Sequence, residues 1–128
     1  MNNAEALKWY YKAAEQGVAE AQFILGLDYK RGEGGVKKDF AKGVEWYRKA
    51  AEQGHMYALY NLAVSYEYGE GVPKDKETAI KLYQKAAEQG YTEAEKDVKR
   101  LEGGGLGTAV AAGAALGGAA LLWKILRG

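Results

Sequence analysis

The hexapeptide Lys-Ala-Ala-Glu-Gln-Gly occurs three times in this chain, at Lys12–Gly17, Lys49–Gly54 and Lys85–Gly90. The copies are offset by 37 and then 36 residues, which makes the chain a repeat array with one inserted residue. A fixed period of this size implies helical hairpins stacked side by side. Each buries its apolar face against its neighbours, and no single closed globule is expected.

Each copy reads as the end of a helix, termed helix B. Gly17, Gly54 and Gly90 stand where a left-handed cap is wanted, and glycine takes positive φ without a Cβ clash. Asn2, Asp39 and Asp75 stand seven residues before Trp9, Trp46 and Leu82. Their side chains can accept from the free amides of a first helical turn. In the last copy Ala79, Ile80, Tyr83, Ala86 and Ala87 share one helical face. The paired alanines let a neighbouring helix come close, and Trp9, Trp46, Tyr10, Tyr47 and Tyr83 supply the apolar bulk beside them.

A second pattern lies between the B helices. Ala21, Leu25, Gly26 and Tyr29 recur 37 residues on as Ala58, Leu62, Ala63 and Tyr66, and this is helix A. A mid-helix glycine costs about 1 kcal/mol against alanine, so Gly26 predicts a close helix contact that compensates. Gly32-Glu33-Gly34 and Gly69-Glu70-Gly71 turn the chain back into helix B, and Gly35 is the inserted residue. Val72-Pro73 leads into Asp75, where a proline ends one element without entering the next helix.

Ala-Gln-x-x-Leu-Gly-x-x-Tyr, the Gly-x-Gly turn, the aspartate N-cap and Trp-Tyr-x-Lys-Ala-Ala-Glu-Gln-Gly together resemble Sel-1-like repeats, relatives of the tetratricopeptide repeat. The resemblance covers residues 2–102. It implies an all-α fold, a short right-handed α/α solenoid with a concave face, and an adaptor or scaffold role. It carries over no catalytic residue.

The two ends depart from the pattern. The array begins mid-repeat, with helix B over Asn2–Gln16 and no helix A before it. A solenoid terminus normally carries a polar capping face, whereas this helix carries Trp9, Tyr10 and Tyr11. The third helix A, about Thr92 to Leu101, keeps Ala94 and Val98. It has Lys99 where Gly26 and Ala63 stand, and Glu102 where Tyr29 and Tyr66 stand, so a following helix should not pack there in the standard way. The stretch 103–107 reads as a glycine-rich hinge. Residues 108–127 then read as a further helix in the place of the next helix B, apolar on all sides. No residue between Gly103 and Trp123 is charged. A helix apolar all round has to be buried in protein or lipid.

Ala109, Gly113 and Gly117 follow a four-residue spacing that gives a smooth stripe for close helix contact. Leu116, Leu121, Leu122, Trp123, Ile125 and Leu126 supply bulk. Leaving these six in water would cost on the order of 10 kcal/mol, at roughly 1.5–3 kcal/mol each, so a free monomer is not expected. The first reading is self-assembly, with Trp9, Tyr10, Tyr11 and the nine residues just named as the interface. One chain's last helices complete the next chain's first half-repeat, a head-to-tail contact that closes into a ring or runs on as a filament. Other protein subunits are alternative partners. The second reading is a membrane-anchored adaptor, because nineteen helical residues reach roughly 28 Å, close to the hydrocarbon thickness. Trp123, Lys124 and Arg127 would then mark the interface. A third is a tail folded back along its own solenoid.

Composition bears on what is absent. Basic and acidic residues number 18 and 17, and the balance argues against nucleic acid. There is no cysteine, hence no disulfide framework and no thiolate metal site. His55 is the one histidine and reads as a solvated helix-start residue, with no second histidine to join it in a metal site or triad. Gly32-Glu33-Gly34-Gly35 lacks the strand and the lysine-serine pair of a phosphate loop. No cofactor and no enzymatic activity are expected. Tyr11, Tyr57, Tyr60 and Tyr68 are the tyrosines expected at the surface. No signal peptide is visible if Met1 is the natural start, and the compartment is left open.

Overall fold

A computed structural model describes residues 3–103 of the chain. Among the described residues there are six α-helices and no strand: α1 (Asn3–Glu15), α2 (Ala19–Arg31), α3 (Phe40–Glu52), α4 (Met56–Tyr68), α5 (Lys76–Glu88) and α6 (Thr92–Gly103). The B helices are α1, α3 and α5, and the A helices are α2, α4 and α6. The hairpins α2–α3 and α4–α5 stack as a short α/α solenoid, with α1 before them and α6 after.

The helix ends follow from the repeated residues. Asp39 accepts from the Lys42 amide at 3.1 Å, and Asp75 accepts from the Thr78 amide at 3.1 Å. Gly17, Gly54 and Gly90 take φ values of 94°, 82° and 98°. At each of them the next residue's amide reaches back to the third-last carbonyl of the helix, as His55 N does to Ala50 O at 3.1 Å. That satisfies carbonyls the helix end would otherwise orphan. The A helices end on Gly32 and Gly69, also left-handed. The hairpins are closed by backbone bonds from Asp39 N to Tyr29 O and from Asp75 N to Tyr66 O, both 2.8 Å. Removing one cap has a predictable effect. Asp39→Ala should lower stability by about 1 kcal/mol and Asp39→Asn by much less, read as the shift in urea midpoint.

The close contact expected at Gly26 is present. A Cβ there would lie 2.5 Å from the ring of Tyr47, and a Cβ at Gly43 would lie 3.0 Å from Gly26 O. The glycine pair thus brings the α2 and α3 backbones together under a tyrosine that is 1% exposed. Ala63 and Ala79 take the same places in the next hairpin, both fully buried, under Tyr83. Here the cost of a helical glycine is offset by packing that no side chain at Gly26 would allow.

Several expectations need correction. Trp9 does not sit beside the core, because it is 61% exposed. Tyr11 and Tyr60 are half-buried, and only Tyr57 and Tyr68 of the four tyrosines are exposed. Tyr11 stands edge-on to Trp46 and Tyr29, with centroids 5.9 and 6.4 Å away. Helix α6 runs through Gly103, one residue into the stretch read as a hinge. The N-cap expected of Asn2, the remaining hinge residues and the apolar helix over 108–127 lie outside the described residues.

Candidate functional site

Two ends of one solenoid can be compared with its own interior. Ala6, Leu7, Tyr10 and Ala13 of α1 stand in the register of Gly43, Val44, Tyr47 and Ala50 of α3. All four of the latter are buried, whereas all four in α1 are only half-buried. The cause is topological. Helix α3 packs on α2 and α5 on α4, but among the described residues no A helix precedes α1. Trp9 belongs to the same open end. Its counterpart Trp46 is half-buried under Tyr11, while Trp9 is exposed, with the Lys12 ammonium 5.8 Å from its ring. Glu5, Lys8, Trp9 and Lys12 line an open cavity of about 430 Å³ beside it.

The repeated glutamine marks the same end. Gln53 Nε2 donates to Gly17 O at 2.8 Å and to Gln22 Oε1 at 3.0 Å. Gln89 Nε2 donates to Gly54 O at 2.7 Å. Each B helix thereby reaches back to the capping glycine of the previous repeat. Gln22 in turn donates to Ala14 O at 3.1 Å, tying α1, α2 and α3 together. Among the described residues no carbonyl meets the side chain of Gln16.

The opposite end is different in kind. In α6 the places of Phe23 and Tyr60, Gly26 and Ala63, and Leu27 and Val64 are taken by Lys96, Lys99 and Arg100. All three are exposed, and the lysines pair within the helix, Lys96 with Glu93 at 3.4 Å and Lys99 with Glu95 at 3.5 Å. A following helix meets charge there instead of an apolar seat, as at the polar terminal repeat of a solenoid. Beneath this surface lies a polar cluster. Glu67, nearly buried, accepts from Arg100 Nη1 at 2.6 Å, Arg100 Nη2 at 2.9 Å and Tyr83 Oη at 2.8 Å. Arg100 also donates to Asp97 at 2.8 Å, and Tyr60 Oη donates to Asp97 at 2.6 Å. The Arg100 hydrogen bonds, assisted by Tyr83, hold the Glu67 carboxyl below its ordinary range against the effect of burial. Burial first, and then the bond to Glu67, pushes the Tyr83 hydroxyl up.

His55 starts a helix, as expected, but it is not solvated. Its Nδ1 accepts from the Ala58 amide at 3.1 Å as the N-cap of α4, and its ring stacks on Phe23 with centroids 4.8 Å apart. Accepting at Nδ1 leaves the proton on Nε2, which faces Glu20 Oε2 at 2.7 Å. The ring is committed to capping and pairing. Among the described residues no three His, Asp or Glu side chains form a group that could hold a metal ion, and no helix is long and apolar enough to cross a membrane.

Of the interface residues expected from sequence, Trp9, Tyr10 and Tyr11 fall on α1. Trp9 is exposed, whereas Tyr10 and Tyr11 are half-buried against Ala14, Ala21 and Leu25, with Tyr11 also edge-on to Trp46. Ala109, Gly113, Leu116, Gly117, Leu121, Leu122, Trp123, Ile125 and Leu126 lie outside the described residues. Sequence reasoning missed the glutamine ladder, although the third repeat of Gln-Gly was its visible signal. It also missed the Glu67–Arg100 cluster, which breaks the repeat and so has no periodic signal.

A family model described as Sel1 repeat matches residues 2–18, 19–55 and 57–91. The chain is similar to a solved Sel1 repeat protein from Oxalobacter formigenes, at 42% identity and a TM-score of 0.75, over 79% of this chain and 41% of that one. It is similar to c5321, described as a protective antigen of uropathogenic Escherichia coli with an SLR fold. That match has 43% identity and a TM-score of 0.73, over 75% of this chain and 20% of that one. Helicobacter pylori cysteine rich protein B matches at 29% identity and a TM-score of 0.70, over 73% of this chain and 70% of that one. The chain therefore spans less than half the length of the first two. No curated protein matches it.

Proposed function

Because this chain belongs to the Sel1 repeat family, we propose that it is a non-catalytic interaction scaffold whose copies join end to end. The working parts are the open face of α1 and the apolar stretch 108–126. The half-covered state of Ala6, Leu7, Tyr10 and Ala13, in the register of four positions that α3 buries, is the observation that carries this reading. The charge on α6 supports it further. Lys96, Lys99 and Arg100 put charge, not an apolar seat, at the next helix position, and an exposed apolar stretch in the sequence favours association. Self-association buries both surfaces at once and needs no additional chemistry.

The test compares the full chain with a truncation ending at Gly103, in lipid-free buffer and with vesicles. Large particles from the full chain alone, weakened by Gly113→Leu or Gly117→Leu, are expected. Monomeric full chain that floats with vesicles would replace self-assembly by membrane anchoring through 108–126.

A further inference from the structure

The turn between α3 and α4 is tied to the α2 segment by two side chains. Gln53 bonds to Gly17 O and to Gln22, and His55 Nε2 lies 2.7 Å from Glu20 Oε2. His55 also reaches the other way. Its Nδ1 accepts from the Ala58 amide at 3.1 Å, which makes it the N-cap of α4. An amide N–H can only donate, so Nδ1 holds the lone pair and Nε2 the one proton of the neutral ring. The two bonds thus fix one tautomer, and they leave one place for a second proton. That place is Nδ1, where a proton turns the acceptor into a donor facing the Ala58 N–H. The positive end of the α4 dipole adds to the repulsion.

We propose that His55 is a proton-operated latch between α2 and α4. The neutral ring holds both helices, and the doubly protonated ring lets go of α4 and stays with Glu20. The charged group facing the ring from α2 is Glu20, whose attraction to the ring grows when the ring gains charge. Phe23 of α2 stacks on it at 4.8 Å and carries no charge. From α4 the titratable neighbour is Tyr57, with centroids 6.1 Å apart. The turn itself contributes Gln53 and Gly54, both uncharged. Releasing the cap loosens the first turn of α4, where Tyr57 is exposed and stands edge-on to Tyr91 at 5.4 Å. Acid therefore rearranges the aromatic row that runs from Phe23 through His55 and Tyr57 to Tyr91. Among the described residues the other two junctions lack the device. Val18 holds the register of His55 before α2 and gives no side-chain cap, and Tyr91 holds it before α6. The latch works whatever covers the two ends of the array.

His55 is the only histidine in the sequence, so isotope-labelled histidine reports on this ring alone. Magic-angle-spinning NMR of the full chain reads its two nitrogens in free or assembled protein. At about pH 8 the proton is expected on Nε2, with Nδ1 bare. Exchange mass spectrometry of the full chain then follows the α4 start against the α5 start as the pH falls to about 5. The α5 start is the reference because Asp75 caps it, and bonds from Thr78 hold that carboxyl below its usual range. Relative protection at the α4 start should fall about fivefold in step with ring protonation, the size of one N-cap. His55→Asn keeps a cap that takes up no proton and should hold the ratio constant. His55→Val copies the uncapped Val18 and should show the low ratio throughout. A proton on Nδ1 at about pH 8, a constant wild-type ratio while the ring titrates, or the same fall in His55→Asn would overturn the latch.

Discussion

Tyr83→Ala is expected to lower stability by about 3–5 kcal/mol, the range for truncating a buried aromatic, measured as a shift in urea midpoint. The magnitude follows from where the ring sits. Tyr83 is 1% exposed and lies in the cluster of Leu59, Ala63, Ala79, Ala86, Ala94 and Val98, which joins α4, α5 and α6. Four of these six neighbours are alanines, which cannot extend into the space. The Tyr60 ring stands 5.2 Å away, at 60°, and would lose an edge contact as well. Tyr83→Phe separates packing from polarity. It keeps the ring and removes one donor from Glu67, which Arg100 still holds, so a loss of about 1 kcal/mol is expected. Because each repeat of a solenoid contacts only its neighbours, amide exchange should accelerate most in α5 and α6 and least in α1.

Arg100→Met is expected to cost about 2 kcal/mol near neutral pH, with a penalty that shrinks as the solution is acidified. Removing the guanidinium leaves the Glu67 carboxylate nearly buried, with the Tyr83 hydroxyl still donating to it. Stranding a charge in this way is costly, although Arg100 is about half exposed and water relieves part of the cost. The sign with pH follows from the direction of the Glu67 shift. Its folded pKa lies below the ordinary 4.5, so the ionised cluster contributes fully above that value. The contribution is lost as pH falls through the lowered folded pKa. The wild-type advantage over Arg100→Met should therefore be full at about pH 7 and should shrink as the solution is acidified below 4.5, the ordinary carboxylate value. A pH-independent difference would mean that Arg100 acts through its aliphatic stem against α4.

Periodicity explains which parts of this architecture were legible in the sequence. The capping glycines and aspartates recur, and a recurring residue at a fixed offset has one structural cause, so Gly54 and Asp39 could be placed before any coordinates. Gly26 could be placed for a second reason, since a glycine inside a helix has a cost that only close packing explains. Residues whose role depends on breaking the repeat were not legible. Glu67 stands where the first repeat has Lys30, and nothing in the sequence shows that Arg100, 33 residues on, folds back to it. Trp9 was misplaced for the related reason that its repeat counterpart Trp46 is half-buried. Burial of that position depends on a neighbour in the adjacent repeat, and α1 has none before it among the described residues. The charged surface of α6 was visible in part, at Lys99. Its meaning as a polar end needed Lys96 and Arg100 on the same side.

The central claim is that the open α1 face and the apolar stretch after Gly103 are buried by association. Light-scattering molar mass of the full chain in detergent-free, lipid-free buffer tests it most directly. The account predicts a mass many times the 13.9 kDa of one chain, falling when Trp9→Ala or Gly117→Leu is introduced. A single species of 13.9 kDa, soluble and unchanged at high concentration, would contradict it.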